Sequence, residues 1–91
     1  MVTITIKRDG QTQHYDSRKV YASVYNASLN AHYTDKKSEE IADIIENKIT
    51  KWVKKTHHLN SHQIRDQIIE ELYLIDEKDV ATLYKHHIDI N

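Results

Sequence analysis

Gly10 is the only glycine in a chain of 91 residues, and proline is absent. A chain with so few breakers folds through long, uninterrupted elements, and its one glycine marks a place where the backbone needs it. Gly10 follows Asp9, and Asp-Gly is a favoured pair for a two-residue type I′ hairpin turn. On its N-terminal side, Val2-Thr3-Ile4-Thr5-Ile6-Lys7 alternates apolar and polar, the period of a half-buried strand rich in β-branched residues. Gln11 to Tyr15 is expected to return as the second strand, with Ile4 opposite Tyr15 and Ile6 opposite Gln13.

Beyond Tyr15 the apolar period becomes helical. Asp16 or Ser17 is placed to cap a first helix that turns Val20, Val24 and Ala27 inward, with Tyr21 and Tyr25 flanking them. A polar stretch, His32 to Lys37, separates it from Ser38-Glu39-Glu40, which reads as the start of a longer helix. Ile41, Ile45, Ile49, Trp52 and Val53 form its apolar stripe, and Lys51, Lys54 and Lys55 suit the negative end of its dipole. Asn60 and Gln63 have the spacing of a capping box and open a third helix carrying Ile64, Ile68, Leu72 and Ile75. Asp76 is expected to cap a fourth helix, with Val80, Leu83, Tyr84 and either His87 or Ile88 inward. His57 to Asn60 is a candidate third strand. The expected fold is α+β: a small N-terminal β-hairpin, or a three-stranded sheet, packed on a bundle of about four helices, all in one domain over residues 1–91.

Hydrophobic residues make up 38% of the chain, too many for a disordered one. The formal net charge of -1 lacks the basic excess of a dedicated nucleic-acid binder, so direct DNA binding is not expected. Without cysteine, disulfides, iron–sulfur clusters and thiolate zinc sites are excluded. No apolar run approaches the roughly 20 residues of a membrane helix. The first positive charges follow the apolar start rather than precede it, the reverse of a secretory signal. The expected location is cytoplasmic, with no membrane partner.

Lys7 and Arg8 sit together beside the expected turn, where a lysine point charge and an arginine fork can gather polyphosphate. The bland alternative is a solvated hairpin tip. Lys19 lies in the first turn of the first helix, where the dipole favours an acid. Alone it reads as a surface lysine; with Lys7 and Arg8 it completes an electropositive pocket at a helix N-terminus, which suits phosphate. With one glycine, neither a Walker-type nor a Rossmann glycine loop is possible. His58 and His62 are four apart but straddle the cap at Asn60, so loop or surface histidines outweigh a metal site. The serines fall at caps and helix faces, and Glu70-Glu71 and Asp76-Glu77 read as surface charge, so an enzyme is not expected. Tyr15, Tyr21, Tyr25 and Tyr84 fall at apolar positions as core residues, with Tyr84 the one chosen to lend its ring to a purine.

The run Ile6-Lys7-Arg8-Asp9-Gly10 and the stretch Tyr15-Asp16-x-x-Lys19-Val20 resemble the opening of the ATP-cone family. Asn60-Ser61-His62-Gln63-Ile64, then Glu71-Leu72 and Val80-Ala81-x-x-Tyr84, resemble its closing half, while Ala31 to His58 adds only a helical pattern. The family comprises allosteric nucleotide modules of ribonucleotide reductases and of the repressor of reductase genes, which bind ATP or dATP without a hydrolytic function. The resemblance implies a regulatory, non-catalytic module that takes ATP or dATP, with or without Mg2+, and transmits allosteric or oligomerisation control. It also implies that Lys7, Arg8 and Lys19 hold phosphates, that Thr5 offers backbone groups near the base, and that Ser61 and Tyr84 lie near the ligand. Gln13 departs from the family, which often has a glutamate there to read the adenine amino group; a glutamine carbonyl can still accept from that group. Family members usually carry a reductase barrel or a DNA-binding zinc ribbon, and the ribbon is impossible without cysteine. The expected partners are therefore a purine nucleoside triphosphate and either a homo-oligomer or a larger protein, this chain being a fragment in one reading. The alternative is a protein-interaction or nucleic-acid-associated module that has lost nucleotide binding.

Overall fold

The computed structural model describes the backbone of residues 5–8, 11–56 and 59–90, with side chains described for 15–56 and 59–86. Two short strands, β1 (Thr5–Arg8) and β2 (Gln11–His14), precede four helices: α1 (Ser17–Asn30), α2 (Asp35–Lys55), α3 (Ser61–Leu74) and α4 (Lys78–Ile90). α2 organises the core. Its Ile41, Ile45, Ile49 and Val53 recur every fourth residue, the spacing that keeps one helical face together, and none is more than 2% exposed. Val20, Val24 and Ala27 of α1 complete this core with Ile64, Ile68 and Leu72 of α3, and Val80, Ala81 and Tyr84 of α4. Leu59, in the segment before α3, is also buried there. Burying each of Ile41, Ile45 and Ile49 contributes about 1.5–3 kcal/mol relative to leaving it exposed.

Hydrogen bonds between side chains show how the helices run. Tyr15, just before α1, pairs with Thr50 near the end of α2 (Oη···Oγ1 3.0 Å). The Tyr25 hydroxyl, late in α1, donates to Asp35 at the start of α2 (3.4 Å). The first two helices are therefore antiparallel. The Tyr33 hydroxyl, in the α1–α2 turn, donates to Glu77 Oε2 in the α3–α4 turn (2.7 Å), so both turns sit at one end. Each helix packs on its neighbour in sequence and α4 returns to α1, closing an up-and-down bundle.

The expectation of an α+β fold is corrected. The body is an all-helical four-helix bundle, and every described buried side chain lies on a helix or at Leu59. The strands pair antiparallel with Ile6 opposite Gln13, but at four residues each they form no sheet layer in that body. Two short strands have too little face to act as a layer by themselves. The described sheet has two strands, and α3 lies beside β1. Ile4, the Asp9-Gly10 turn and His57 and His58 of the candidate third strand lie outside the described residues.

Two helix starts also differ from expectation. α2 begins at Asp35 under a Thr34 cap whose side chain accepts from the Lys37 amide, and Ser38 is buried one turn inside. Threonine at an N-cap satisfies a free helix-end amide as serine does, and it comes first in the chain. Asp76 takes a left-handed backbone (φ 61°) in the α3–α4 turn, a conformation that aspartate tolerates better than most residues, so it leads into α4 without being its cap in the expected sense. Asn60 and Gln63 do form the reciprocal capping box, at 2.9 Å in each direction. In chemical denaturation, Ile45→Ala should cost about 2–5 kcal/mol and Asn60→Ala about 1 kcal/mol. An Ile45→Ala loss below that of Asn60→Ala would place the core elsewhere.

Candidate functional site

The end of the bundle opposite the Tyr33–Glu77 bond gathers the start of α1, the close of α2 and the start of α3. β2 ends two residues before Asp16, the α1 cap, and β1 lies beside α3, so the hairpin belongs to this end as well. The helix starts at the two ends differ in charge. α2 and α4 begin at the far end with Asp35 and Asp79 in their first turns. α1 and α3 begin at the hairpin end with no acid in theirs. A helix start carries positive partial charge and unpaired amides, which an acidic first turn would partly neutralise. At the hairpin end α3 starts under the uncharged Asn60 cap, and α1 starts under Asp16, whose charge Arg18 pairs.

The residues singled out by sequence fall into two groups. Thr5, Lys7 and Arg8 lie on β1 and Gln13 on β2, with Lys7 opposite Thr12 and Arg8 opposite Gln11; their side chains lie outside the described ones. Lys19 is exposed in the first turn of α1, and Ser61 is half-buried as the first residue of α3. These six residues are on elements that meet at one end. Beside them stands Asp16, the α1 cap, whose carboxylate accepts from the Arg18 amide (3.0 Å) and Nε (3.3 Å). Those bonds hold its carboxyl below the usual aspartate range, with the charges of Arg18 and Lys19 adding to the effect. Because Arg18 takes this role, Lys19 is left with no ion pair among the described residues.

Tyr84 stands apart. It lies on α4, 6% exposed, in the core cluster, and it borders a surface cavity of about 350 Å3 between α1 and α4. Ser23, Asn26, Ala27, Leu29 and Asn30 of α1 line the rest. Burial raises the Tyr84 pKa above the ordinary value, against smaller opposing effects of the Ser23 hydroxyl and the Arg65 charge. Tyr21 and Tyr25 stack in parallel on α1, centroids 6.1 Å apart, beside Asp35, Glu39, Asp43 and Glu46 of α2. No group of three or more metal-ligating side chains occurs among the described residues. No described helix is long and apolar enough to cross a membrane.

Sequence reading did not register Ser23, Asn26 and Asn30 as one group. Their signal was spacing: three, then four residues apart, they share one face of α1. The contrast between helix starts was also hidden, because it depends on knowing where α2 begins and which ends meet.

Residues 3–88 of the chain match the model of the ATP cone domain family. Matching proteins include two named transcriptional repressor NrdR, from Clostridium kluyveri (strain ATCC 8527 / DSM 555 / NBRC 12016 / NCIMB 10680 / K1) and Clostridium kluyveri (strain NBRC 12016). Each is 31% identical over 91 residues, covering 97% of this chain and 59% of the relative. The chain thus spans 59% of the length of the curated relatives it matches. No solved structure matches it.

Tyr15, Tyr21, Tyr25, Tyr33 and Tyr84 all ionise above the ordinary value of 10.0 in the fold. A folded pKa above the unfolded one means that the fold holds the proton more tightly, so this stabilisation is complete below the unfolded pKa. It is lost as pH rises through the folded pKa. Denaturation midpoints should therefore fall as pH rises above about 10, and Tyr84→Phe should lessen the fall. Alkaline midpoints that stay flat would contradict the burial of these rings and the Tyr33–Glu77 hydrogen bond.

Proposed function

The chain belongs to the ATP-cone domain family, and from that premise we propose that it is a regulatory nucleotide-binding module whose ligand is ATP or dATP, with or without Mg2+. The observation that carries the reading is the charge contrast between the two ends of the bundle. At the hairpin end, two helix starts without first-turn acids meet the elements that hold Lys7, Arg8 and Lys19. Polyphosphate suits such a place, because helix-end amides and fixed cations act on the same anion.

In this reading Lys7, Arg8 and Lys19 hold the phosphates, and Arg18 neutralises Asp16 so that its carboxylate does not repel them. Thr5 presents backbone groups toward the base, and the Gln13 carboxamide accepts from an adenine amino group. Ser61, first in α3, offers a hydroxyl beside that helix start. Tyr84 stands apart from these elements on α4 and takes no part in this reading. The module is non-catalytic: the site holds the ligand and shifts an equilibrium between packings or oligomeric states. The ligand shifts it only by its difference in affinity for the two states, typically about 1–3 kcal/mol.

The relatives are named as transcriptional repressors, and we place this domain as the nucleotide sensor of such a protein or of a related regulator. Its output then passes through a larger protein, a partner or self-association. The expectation against direct DNA contact is confined to this domain, since a repressor of that name acts on transcription as a whole protein and the chain covers only 59% of it.

Calorimetric titration with ATP and dATP, with GTP and CTP as controls, tests the reading. The adenine nucleotides should bind, and Lys7→Ala or Lys19→Ala should each weaken binding about tenfold or more, the size of one lost hydrogen bond to a charged group. Lys78→Ala, at the far end, should change nothing. If Lys7→Ala and Lys19→Ala both bind like the parent, the site lies elsewhere.

A further inference from the structure

An aromatic strip and an acidic strip run side by side where α1 packs on α2. On α1 the Tyr21 and Tyr25 rings are stacked, with centroids 6.1 Å apart and planes 10° from parallel. On α2, Asp35, Glu39, Asp43 and Glu46 recur at spacings of three or four residues, so they share one face. These acids stand beside the two rings, and the Tyr25 hydroxyl donates to Asp35 (3.4 Å). Asp35, Glu39 and Asp43 are exposed, while Glu46 and both rings are half-buried. None of the four carboxylates is in an ion pair among the described residues, where the pairs are Arg18 with Asp16 and Lys48 with Glu71. Unpaired negative charge along accessible tyrosine rings is complementary to a cation. The carboxylates attract it from a distance, and a ring face holds it at short range.

We propose that this α1–α2 strip is a docking surface for an arginine-rich segment of a partner protein. Arginine suits it better than lysine, because a planar guanidinium stacks on a tyrosine face while its fork takes a carboxylate. From Asp35 to Glu46 the strip runs about 16 Å along α2 at the helical rise, which about five residues of extended chain can follow. The surface is built from α1 and α2 alone. It needs neither nucleotide nor the hairpin, so it stands independently of the reading under Proposed function.

The test is a fluorescence anisotropy titration of dye-labelled hexa-arginine amide with the nucleotide-free full chain at low salt, beside hexa-lysine amide. Hexa-arginine should bind saturably and more tightly than hexa-lysine. The double variant Glu39→Gln/Asp43→Asn should bind it about fivefold or more weakly, the size of two lost surface ion pairs. That variant should keep the parent's circular dichroism, because both side chains are exposed and outside ion pairs. Asp66→Asn/Glu70→Gln removes the same charge from two exposed acids four residues apart on α3, and it should leave binding unchanged. Tyr21→Leu, if folded, should remove the advantage of hexa-arginine over hexa-lysine. The proposal is overturned if hexa-arginine does not bind, if the two double variants weaken binding equally, or if hexa-lysine binds the parent as tightly. A parent dimer in sedimentation that Glu39→Gln/Asp43→Asn dissociates would also overturn it, because the occupant would then be a second copy of this chain.

Discussion

Burial of one face of α2 is the constraint on which everything else in this fold depends. Ile41, Ile45, Ile49 and Val53 can leave water together only if other helices cover them, and α1 and α3 do so from either side. α4 then closes the bundle by packing on α1 and α3. Polar bonds refine this arrangement without driving it. Tyr15 to Thr50 and Tyr33 to Glu77 are single hydrogen bonds, each worth about 0.5–1.5 kcal/mol net, and they tie opposite ends of a bundle whose stability comes from apolar packing.

An up-and-down bundle gives its two ends different characters. Consecutive helices alternate in direction, so the odd-numbered helices start at one end and the even-numbered ones at the other. Here the even-numbered helices carry an acid in the first turn and the odd-numbered ones do not. The architecture thus converts a difference between first turns, scattered along the sequence, into a charge difference across the molecule. The hairpin, attached directly before α1, adds Lys7 and Arg8 to the less acidic end. That placement is the physical basis for reading this end as the place for an anion.

Much of this was legible in residue spacing. The inward residues of α1, α2 and α3 follow from helical periodicity, and the Asn60–Gln63 box from its three-residue offset. The fold class was not legible, because strand periodicity says that strands form and not whether they amount to a layer. With four residues each, β1 and β2 leave the core to the helices. The start of α2 was misplaced because Ser38 has the right chemistry for a cap, yet Thr34 reaches the Lys37 amide first. For the site, composition pointed to Lys7, Arg8 and Lys19 as cations but could not show that α3 starts beside them. The burial of Tyr84 was anticipated from its apolar position, whereas the cavity it borders required knowing that α4 packs on α1.

The central claim is that nucleotide is held at the hairpin end of the bundle. Hydrogen exchange of backbone amides with and without ATP tests it most directly, because it reports where the ligand acts. Protection should rise in β1, β2 and the first turns of α1 and α3, while the turns around His32 and Asp76 stay unchanged. Protection confined to those two turns, or no change at either end, would contradict the account.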